Sequence, residues 1–502
     1  MITKIGQNDN VGIALEYISQ GFRIEDFNIV SKESISSGHK ISLVNIDKGH
    51  GIIKYNQIIG YALSDISIGE CVHTHNMSLG KSDYLNKKFT HNKILNLNSF
   101  NSADRYFSGY LRDDKKVGTR NYVGVMPTVN CVSTVASKIV NSFSGYTLTK
   151  NFDGVVSFNH SQGCGHSLGG TSIDILIKVI VGYISHPNIS SLVIIGLGCE
   201  DNQISNILKR LPDCYKEKIR YLIVSKSGGT HDSIKKGVEL VGEMIKDAKL
   251  QKRSRQHVSH LKIALQCGGS DSFSGITSNP VLGYASDKLV LLGGVSILAE
   301  TPEMYGASDI IFQRIKYRKD VEKLKKKFEW WGEYLSKSNA SFDSNPSPGN
   351  KDGGITTICE KSLGSVAKAG YSDIEGVVDY ADPITENGLY IMDSPGYDPV
   401  SVTGQIASGA NIVCFTTGRG STIGFKPSPC IKISSNSNIY SLMTDDIDFD
   451  CGGILNCGNL VEELGSDLFD LMINIASGKK TCSEVYDYGD NEFNPWNIGP
   501  IV

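Results

Sequence analysis

Two histidines separated by a single residue, His73 and His75, stand in the sequence GECVHTHN. The residues before them favour a short strand, so we expect the pair in an extended segment, where side chains two residues apart lie on one face. Two imidazoles on one face suit a divalent cation whose other ligands are carboxylates or thiolates from elsewhere in the chain. Because an H-x-H sequence is only moderately specific, two surface or structural histidines are the alternative interpretation.

Four apolar segments end in cysteines that are flanked by small or polar residues, namely Cys131, Cys164, Cys199 and Cys267. Parallel sheets bind ligands beyond the carboxyl ends of their strands, and a nearby helix N-terminus lowers the pKa of a thiol. We therefore expect the four cysteines to face one crevice, with Cys164, Cys199 and Cys267 as candidate metal ligands. Small residues packed beneath tight turns are the alternative.

Other segment ends carry groups suited to proton transfer and to binding a polar substrate. The candidates for proton transfer are His160, Glu200, Asp271 and Glu300. The candidates for binding carboxylate and hydroxyl groups are Arg120, Asn121, Asn202, Gln203, Ser270, Lys351, Lys361 and Arg419. Arg419 lies between two glycines, which let backbone N–H groups approach an anion that the guanidinium binds with paired hydrogen bonds; a surface salt bridge is the alternative. The set favours a small polar acid as substrate and does not separate the base from the acid.

Composition excludes several classes of protein. The 502 residues are enough for several domains, and 40% apolar with 21% charged residues is typical of a soluble protein. The apolar runs are too short to cross a bilayer, and a net charge of −3 gives no field that attracts nucleic acid. The first ten residues lack the pattern of a secretion signal, and twelve cysteines fit reduced thiols, so we expect a cytoplasmic protein.

Patterning along the chain predicts a multidomain α/β protein. Residues 1–76 alternate short apolar stretches with turn residues, which indicates a small β-domain, and the polar stretch 77–108 reads as a linker. After it, apolar runs alternate with helix-compatible segments, which favours Rossmann-like, largely parallel sheets covered on both faces. A polar basic stretch divides this part into two predicted α/β domains, 109–250 and 258–502.

Several longer motifs resemble those of the altronate/galactarate dehydratase family. They are GHKISLVNI, GECVHTHN, VGTRNYVGVMPTVNC, IGLGCEDNQI, LQCGGSDSFSGITSNPVLG, PSPGNKDGGITTICEKSLG and FTTGRGS. The resemblance implies an N-terminal SAF-type (β-clip) domain, a two-part α/β body, removal of water from a sugar acid, and a divalent metal, Fe²⁺ above all with Mn²⁺ as the other choice. The sequence H-x-H-N at 73–76 resembles the altronate branch, which implies conversion of altronate to 2-dehydro-3-deoxy-D-gluconate.

Three alternatives stay open beside altronate dehydration. They are dehydration of galactarate, lysis of a related 2-hydroxy acid, and a regulatory protein that binds a sugar acid without converting it. For the enzyme, loss of water requires removal of a weakly acidic proton beside a carboxylate and expulsion of hydroxide, and a cation assists both steps. We expect His73 and His75 to bring that cation from the small domain to the crevice, where Arg419 and Lys351 bind the substrate carboxylate. We also expect a homo-oligomer, most simply a dimer. We expect neither nucleic acid nor a membrane as a partner.

Overall fold

The computed structural model describes residues 2–80, 104–145, 151–165 and 170–499. These residues form a small β-module followed by two α/β units with parallel sheets, so the predicted fold class is confirmed. Among the helices of the described residues, none combines the length and the apolar character that crossing a membrane requires.

The N-terminal module consists of short antiparallel strands around an isoleucine-rich core. Its strands are β1 (Ile2–Thr3), β2 (Val11–Ala14), β3 (Arg23–Ile24), β4 (Ile29–Val30), β5 (Lys40–Ser42), β6 (Gly51–Lys54), β7 (Gln57–Ala62), β8 (Cys71–Val72) and β9 (Met77–Ser78). Its two larger sheets have the orders β1-β2-β5-β8 and β6-β7-β9. Ile41 and Ile52 are fully buried, and burial alternates along β6, as expected for a half-buried strand.

The histidine pair does not lie in an extended segment, so that prediction was wrong. Strand β8 ends at Val72, and the amides of Asn76 and Met77 both donate to the His73 carbonyl at 3.0 Å. The side chain of Asn76 closes this turn, because it accepts from the His73 amide at 3.0 Å and donates to the Cys71 carbonyl at 2.8 Å. His73 is half-buried and His75 is exposed.

The second unit contains a four-stranded parallel sheet between two layers of helices. Its elements are β10 (Tyr106–Leu111), β11 (Val117–Gly118), β12 (Tyr122–Pro127), α1 (Ser133–Asn141), β13 (Gly154–Ser157), α2 (Thr171–Ile184), β14 (Ile189–Gly196), α3 (Ile204–Arg210), β15 (Ile219–Ile223) and α4 (Thr230–Leu250). The parallel order is β13-β12-β14-β15. Every residue of β12 is buried, since alternate side chains pack under α1 and α4 on one face and under α2 on the other.

The third unit is built on a seven-stranded parallel sheet. Its elements are β16 (Ser254–His257), β17 (Lys262–Cys267), α5 (Ser278–Leu291), β18 (Val295–Leu298), α6 (Ser308–Arg314), α7 (Arg318–Ser336), α8 (Pro348–Asp352), α9 (Ile358–Val366), β19 (Ile374–Val378), β20 (Gly388–Met392), α10 (Asp398–Ala407), β21 (Ile412–Thr417), β22 (Cys430–Ser434), α11 (Ser437–Leu442), β23 (Phe449–Asp450), α12 (Gly453–Asn456), α13 (Val461–Ala476) and α14 (Cys482–Val485). The order β19-β20-β18-β17-β21-β22-β23 places the carboxyl ends of β17, β18 and β20 side by side.

Polar segments at the predicted domain limits also form strands. Met77 and Ser78, within the predicted linker 77–108, pair with β7 of the N-terminal module. Strand β10 begins at Tyr106 and pairs with β16, which lies in the gap predicted between the α/β domains. The rest of the predicted linker, residues 81–103, lies outside the described residues.

A buried ion triad attaches the N-terminal module to the third unit. Glu360, on α9, lies between Lys40 of β5, 2.9 Å from Oε2, and Lys54 of β6, 2.7 Å from Oε1. All three side chains are at most 1% exposed. Thr356 donates a further hydrogen bond to Glu360 at 2.6 Å. Although burial alone would raise the pKa of Glu360, the two ammonium groups hold it far below its usual range, so the residue is a carboxylate.

Replacing Glu360 by Gln is expected to release the N-terminal module, because two ammonium groups are then left in the interface without a carboxylate. Breaking a buried pair in this way costs about 3–5 kcal/mol. Hydrogen exchange of the β5 and β6 amides measures the change. As a matched control, Glu375→Gln removes the exposed partner of Lys316 and should cost at most about 1 kcal/mol. Equal exchange in the two variants would contradict the assigned role of the triad.

Candidate active site

Three potential metal ligands meet at the carboxyl edge of the seven-stranded sheet. Cys267 is the last residue of β17, and Glu300 and Glu303 follow β18 in the chain. The thiol and one oxygen of each carboxylate lie within 4.8 Å of one another, and all three residues are buried. In the described residues this is the one group of three such side chains with that spacing.

Glu300 has a backbone conformation that side chains other than glycine rarely adopt. Its φ angle is 68°, in the left-handed region. Ser394, beyond the end of β20, holds this conformation: its hydroxyl accepts from the Glu300 amide at 2.9 Å, and its carbonyl accepts from the Thr301 amide at 3.0 Å. Strained residues that the surrounding structure enforces cluster at functional sites, which supports a functional role for Glu300.

Two buried lysines approach the three ligands from α9 and the turn that follows it. Lys368 Nζ lies 2.9 Å from Cys267 Sγ and 3.3 Å from Glu300 Oε2. Lys361 Nζ donates to Glu303 Oε1 at 2.7 Å and to Asn345 Oδ1 at 2.8 Å. We refer to Cys267, Glu300, Glu303, Lys361, Lys368 and the nearby Asp398 as the edge cluster.

Asp398, the first residue of α10, reaches the edge cluster because residue 268 is a glycine. A Cβ atom at Gly268 would lie 2.6 Å from Asp398 Oδ2 and 2.4 Å from Phe415 Cζ, so no larger residue fits. Asp398 is half-buried, whereas Gly396 and Tyr397 before it are exposed. It therefore lies where the edge cluster opens to the surface. Burial and the nearby Glu303 carboxylate raise the pKa of Asp398 to about 7.

The edge cluster holds more acidic than basic groups. Although burial alone would raise the pKa of Glu303, Lys361 and Lys368 lower it, so Glu303 is ionised. Burial and the Glu303 charge raise the pKa of Glu300 well above its usual value, so Glu300 is protonated. Two lysines thus face a thiol and three carboxyl groups. When the Cys267 thiol and Asp398 lose their protons, they and Glu303 carry three negative charges against the two lysines, which favours a divalent cation. A thiolate with carboxylate oxygens is a donor set that Fe²⁺ and similar ions accept. The residues present fit such an ion.

The glycine-rich segment after β17 connects the edge cluster with the predicted substrate-binding residues. The Arg419 amide donates to the Gly269 carbonyl at 2.9 Å, and the side chain of Arg419 is exposed. Asn350 Nδ2 donates to the Ser270 carbonyl at 2.9 Å, which brings the segment that carries Lys351 to the same loop. The structure thus brings together Cys267, Ser270, Lys351 and Arg419.

Asp271, a predicted proton-transfer residue, has a structural environment. Its carboxylate accepts hydrogen bonds from Ser274, Ser435 and Asn436 at 2.7–3.2 Å. Burial raises its pKa, and these donors oppose the change. Because its oxygens already bind three side chains that hold the loops together, we no longer assign Asp271 to proton transfer.

His73 contacts the segment that carries Lys351 through one of its ring nitrogens. Its Nε2 donates to the Lys351 carbonyl at 3.0 Å, its ring stacks on His39 with centroids 4.9 Å apart, and His39 Nε2 donates to the Asp352 carbonyl at 3.2 Å. Burial and the charge of Lys40 lower the pKa of His73 to about 4, so it is neutral. Lys40 donates to the Gly354 carbonyl at 2.7 Å. The N-terminal module therefore supplies donors to the C-terminal end of α8, where carbonyl groups lack partners within the helix. No group of three potential ligands in the described residues includes His73 or His75, so their assignment as metal ligands stays a prediction.

Four predicted site residues of the second unit stabilise the loops beyond β12 and β14. Glu200 accepts from the Thr128 hydroxyl at 2.7 Å, and Asn202 donates to the Thr128 carbonyl at 3.0 Å. Gln203 donates to the Glu200 carbonyl at 2.7 Å. His160 uses both ring nitrogens, donating to the Pro127 carbonyl at 2.9 Å and accepting from the Gln162 amide at 3.2 Å. Burial lowers the pKa of His160 to about 4, so it is a neutral structural residue, and these contacts do not connect the four to the edge cluster.

The four strand-end cysteines do not share one edge. Cys131, Cys164 and Cys199 follow β12, β13 and β14 of the four-stranded sheet and are exposed, whereas Cys267 is buried in the seven-stranded sheet. The expectation of a single cysteine-lined edge was therefore wrong. Cys164 and Cys199 have no second and third ligand at metal-binding distance in the part of the chain that the structure describes.

Arg120 and Asn121 lie at the opposite end of their strand from the expected site. They precede β12, and the ligand-binding edge of a parallel sheet is at the carboxyl end. Arg120 Nη2 binds Glu484 Oε2 at 2.7 Å, and Nη1 donates to the Ile475 carbonyl at 2.8 Å. Asn121 donates to the carbonyls of residues 151 and 248 at 2.7 and 2.9 Å. Both side chains are buried and hold elements together, so their assignment to substrate binding is corrected.

Family models match almost the entire chain. The SAF domain of altronate/galactarate dehydratases matches residues 1–80, the second domain of D-galactarate dehydratase/altronate hydrolase matches 109–249, and the C-terminal domain of D-galactarate/altronate dehydratases matches 258–501. The chain belongs to the altronate/galactarate dehydratase family. The predicted resemblance is thereby confirmed, and the β-module is the family's SAF domain.

Three members of the altronate/galactarate dehydratase family extend the comparison. The chain is 36% identical to altronate dehydratase of Bacillus subtilis (strain 168) and 35% identical to altronate dehydratase of Escherichia coli (strain K12), in each case over 97% of both chains. It is 33% identical to galactarate dehydratase (L-threo-forming) of E. coli (strain K12), over 99% of this chain and 97% of that protein.

Sequence reasoning missed Glu303, Lys368 and Asp398. Glu303 stands three residues after Glu300 in ETPE, a spacing that brings both side chains to one side of the short 3-10 helix Thr301–Ala307. Asp398 follows the end of β20 in SPGYDP, so it could have been found as Glu300 was, as an acidic residue just after a strand. No pattern in the sequence indicates Lys368, since a lysine just after a helix is normally expected to be exposed to solvent.

Cation binding provides a test of the edge cluster. Cys267→Ala and Glu303→Gln each remove one ligand and should weaken binding of Fe²⁺ or Mn²⁺ by about 10-fold or more, measured anaerobically by calorimetry. His75→Ala is the control and should leave the affinity unchanged, because that ring is exposed on the SAF domain. Loss of affinity in His75→Ala with normal affinity in Glu303→Gln would place the ion at the histidine pair instead.

Proposed function

We propose that this protein is a sugar-acid dehydratase that converts altronate to 2-dehydro-3-deoxy-D-gluconate. The observation that carries the proposal is the edge cluster, in which a protonated and an ionised carboxyl group lie beside a potential metal site in a member of this family. Pairs of carboxyl groups with separated pKa values are what acid and base catalysis requires. Galactarate is the second candidate, since a galactarate dehydratase is related at 33% identity.

Altronate is favoured by the groups at the opening of the site. Arg419 is exposed and Lys351 is half-buried, and hydrogen bonds tie their segments to Gly269 and Ser270. We infer that these two cations serve a single substrate carboxylate. Lys361 and Lys368 are occupied by acids and the thiol of the edge cluster. An aldonic acid carries one carboxylate, whereas galactarate carries a second carboxylate that needs its own partner.

We assign proton removal to Asp398 and proton donation to Glu300. Asp398 has a pKa of about 7 and lies at the opening, so near neutral pH a large fraction is ionised and reaches the proton on C2. Glu300 is protonated and deeper, and it donates its proton to the hydroxyl group leaving C3. The C2–H and C3–O bonds break, water departs, and the resulting enol rearranges to the 2-keto acid. Arg419 and Lys351 hold the carboxylate during this reaction.

Cys267 and Glu303 would hold the divalent cation, for which we propose Fe²⁺, because a thiolate ligand favours iron over manganese. Glu300 lies beside them and keeps its proton for the leaving hydroxyl group. When bound, the ion neutralises negative charge that develops next to the substrate carboxylate and polarises a departing hydroxyl group. Lys361 keeps Glu303 ionised. Burial raises the pKa of the Cys267 thiol, and the ammonium group of Lys368 opposes that rise.

The substrate is identified by an anaerobic assay of the purified full-length protein. Altronate, galactarate and sulfolactate are each supplied with Fe²⁺, with Mn²⁺ or without metal, and 2-keto acid formation is followed. We expect the highest kcat/KM with altronate and Fe²⁺. A higher value with galactarate would reassign the substrate within the family, and absence of turnover with all three acids would overturn the assignment as a sugar-acid dehydratase.

Asp398→Asn tests the assignment of the base. General base catalysis typically contributes about 10²–10⁴-fold, so kcat should fall by that factor. Wild-type kcat/KM should rise with pH through about 7, as Asp398 loses its proton, and the variant should lack this rise. Asp379→Asn, at a surface site paired with Lys327, is the control and should retain the wild-type profile. A variant with the wild-type pH profile would exclude Asp398 as the base.

A further inference from the structure

A second cavity lies at the amino ends of the strands, on the side of the sheets opposite the edge cluster. Its volume is about 520 Å³, within the range of small-molecule sites. The β10–β11 turn, the C-terminal half of α2, the first residue of β17 and the segment after α10 contribute to its wall. We refer to it as the amino-end cavity.

The amino-end cavity is strongly basic. Its charged lining consists of Lys115, Lys116, Lys178, Arg210 and Lys262 on the positive side and Asp114 on the negative side. Lys178 and Arg210 are paired with Asp382 and Asp174 at 2.7 and 2.6 Å. The charge of the other lysines is balanced by Asp114 alone, 3.5 Å from Lys116.

The C-terminus of α2 lies in the wall of the cavity, and the nearby lysines carry more positive charge than this helix end needs. Lys116 donates to the Ser185 carbonyl at 3.2 Å, and Lys218, behind the wall, donates to the Ile184 carbonyl at 3.3 Å, so both cap the C-terminus of α2. A helix C-terminus carries about half a negative charge, less than either ammonium group supplies. Lys262 donates to the Ile384 carbonyl. Within the described residues, neither Lys218 nor Lys262 has a carboxylate at ion-pair distance.

The pKa values of Lys218 and Lys262 also indicate that negative charge is lacking around them. Burial, followed by repulsion from Lys116, lowers the pKa of Lys262 to about 8. Burial and repulsion from Arg112 lower the pKa of Lys218 to about 7. Both lysines are half-buried, where an ammonium group without a counter-charge is costly, and an anion beside Lys262 in the cavity would lower that cost.

We propose that the amino-end cavity binds a small polyanion, a molecule with two or more carboxylate or phosphate groups. Lys116 and Lys262 are its main contacts, and Lys115, at the exposed turn, lies at the entrance. Asn387 and His260 add polar groups to the same wall. Charge-assisted hydrogen bonds from several ammonium groups suit such a ligand.

This site is separate from the proposed dehydration site and does not depend on it. Lys262 and Cys267 are the first and last residues of β17, which places them about 17 Å apart at the usual rise per residue. Helix α10 also runs from one site to the other over about 14 Å, with Asp398 in the edge cluster and Ala407 in the wall of the cavity.

The test measures binding of two probes, fructose 1,6-bisphosphate and succinate, to the full-length protein by calorimetry in cation-free buffer of low ionic strength. The variant Lys116→Met/Lys262→Met should bind both probes about tenfold more weakly or worse, because each lysine contributes a charge-assisted hydrogen bond. Lys116→Gln alone, a milder change at a half-buried side chain, should show a smaller loss in the same direction. Melting temperatures of all variants verify folding.

Two controls locate the binding. Lys235→Met/Lys319→Met removes two exposed lysines elsewhere and should leave both affinities unchanged. Arg419→Gln, at the proposed dehydration site, should also leave them unchanged. Tight binding of one probe alone supports the cavity as a site for that chemical class. Wild-type affinity in Lys116→Met/Lys262→Met, loss of binding in Arg419→Gln, or no binding of either probe to the wild type would overturn the proposal, and none of these results bears on dehydratase activity.

Discussion

The attachment of the SAF domain to the catalytic body depends on one buried carboxylate. Glu360 compensates Lys40 and Lys54 in an interface without solvent, and each of the three ions is tolerated there only because the others are present. The next residue on α9 is Lys361, which points to Glu303 on the other side of the helix. A single helix therefore fixes both the docking of the small domain and the ionisation of a candidate metal ligand, so a shift of α9 would disturb both.

The edge cluster shows how burial divides similar groups into different roles. Glu300 and Glu303 are three residues apart and equally buried, yet the ammonium group of Lys361 lies against Glu303 at 2.7 Å, whereas Lys368 approaches Glu300 at 3.3 Å and the Cys267 thiol more closely. The negative charge therefore settles on Glu303, and its repulsion adds to the burial that keeps Glu300 protonated. Asp398 is closer to solvent and begins α10, where the helix dipole favours a carboxylate, and its pKa stays near 7.

The sequence was sufficient to predict the fold class and part of the site. Continuous apolar runs such as LVIIG identify buried parallel strands, and residues just after strands, such as Cys267 and Glu300, can be predicted as members of a site because strand direction alone decides which edge they occupy. Arg120 and Asn121 show the limit of this reasoning, since they precede β12 and lie at the other end of the sheet. Lys368 reaches the edge cluster from the turn after α9, and Asp398 reaches it through a close approach at Gly268. Such tertiary contacts leave no periodic pattern by which a single sequence would reveal them.

His73 illustrates why residue type and spacing do not determine a role. The H-x-H sequence suggests a metal site only if both rings face one way, and the Asn76 side chain closes a turn that separates them. What His73, His39 and Lys40 share is a hydrogen bond to the backbone carbonyl groups of Lys351, Asp352 and Gly354, respectively. The first two carbonyls lie in the last turn of α8 and the third lies two residues beyond it. Each donor comes from the SAF domain, which thus holds this helix end against the catalytic body. Because α8 also carries Asn350, which donates to the Ser270 carbonyl, the small domain stabilises a helix that contacts the glycine-rich segment after β17.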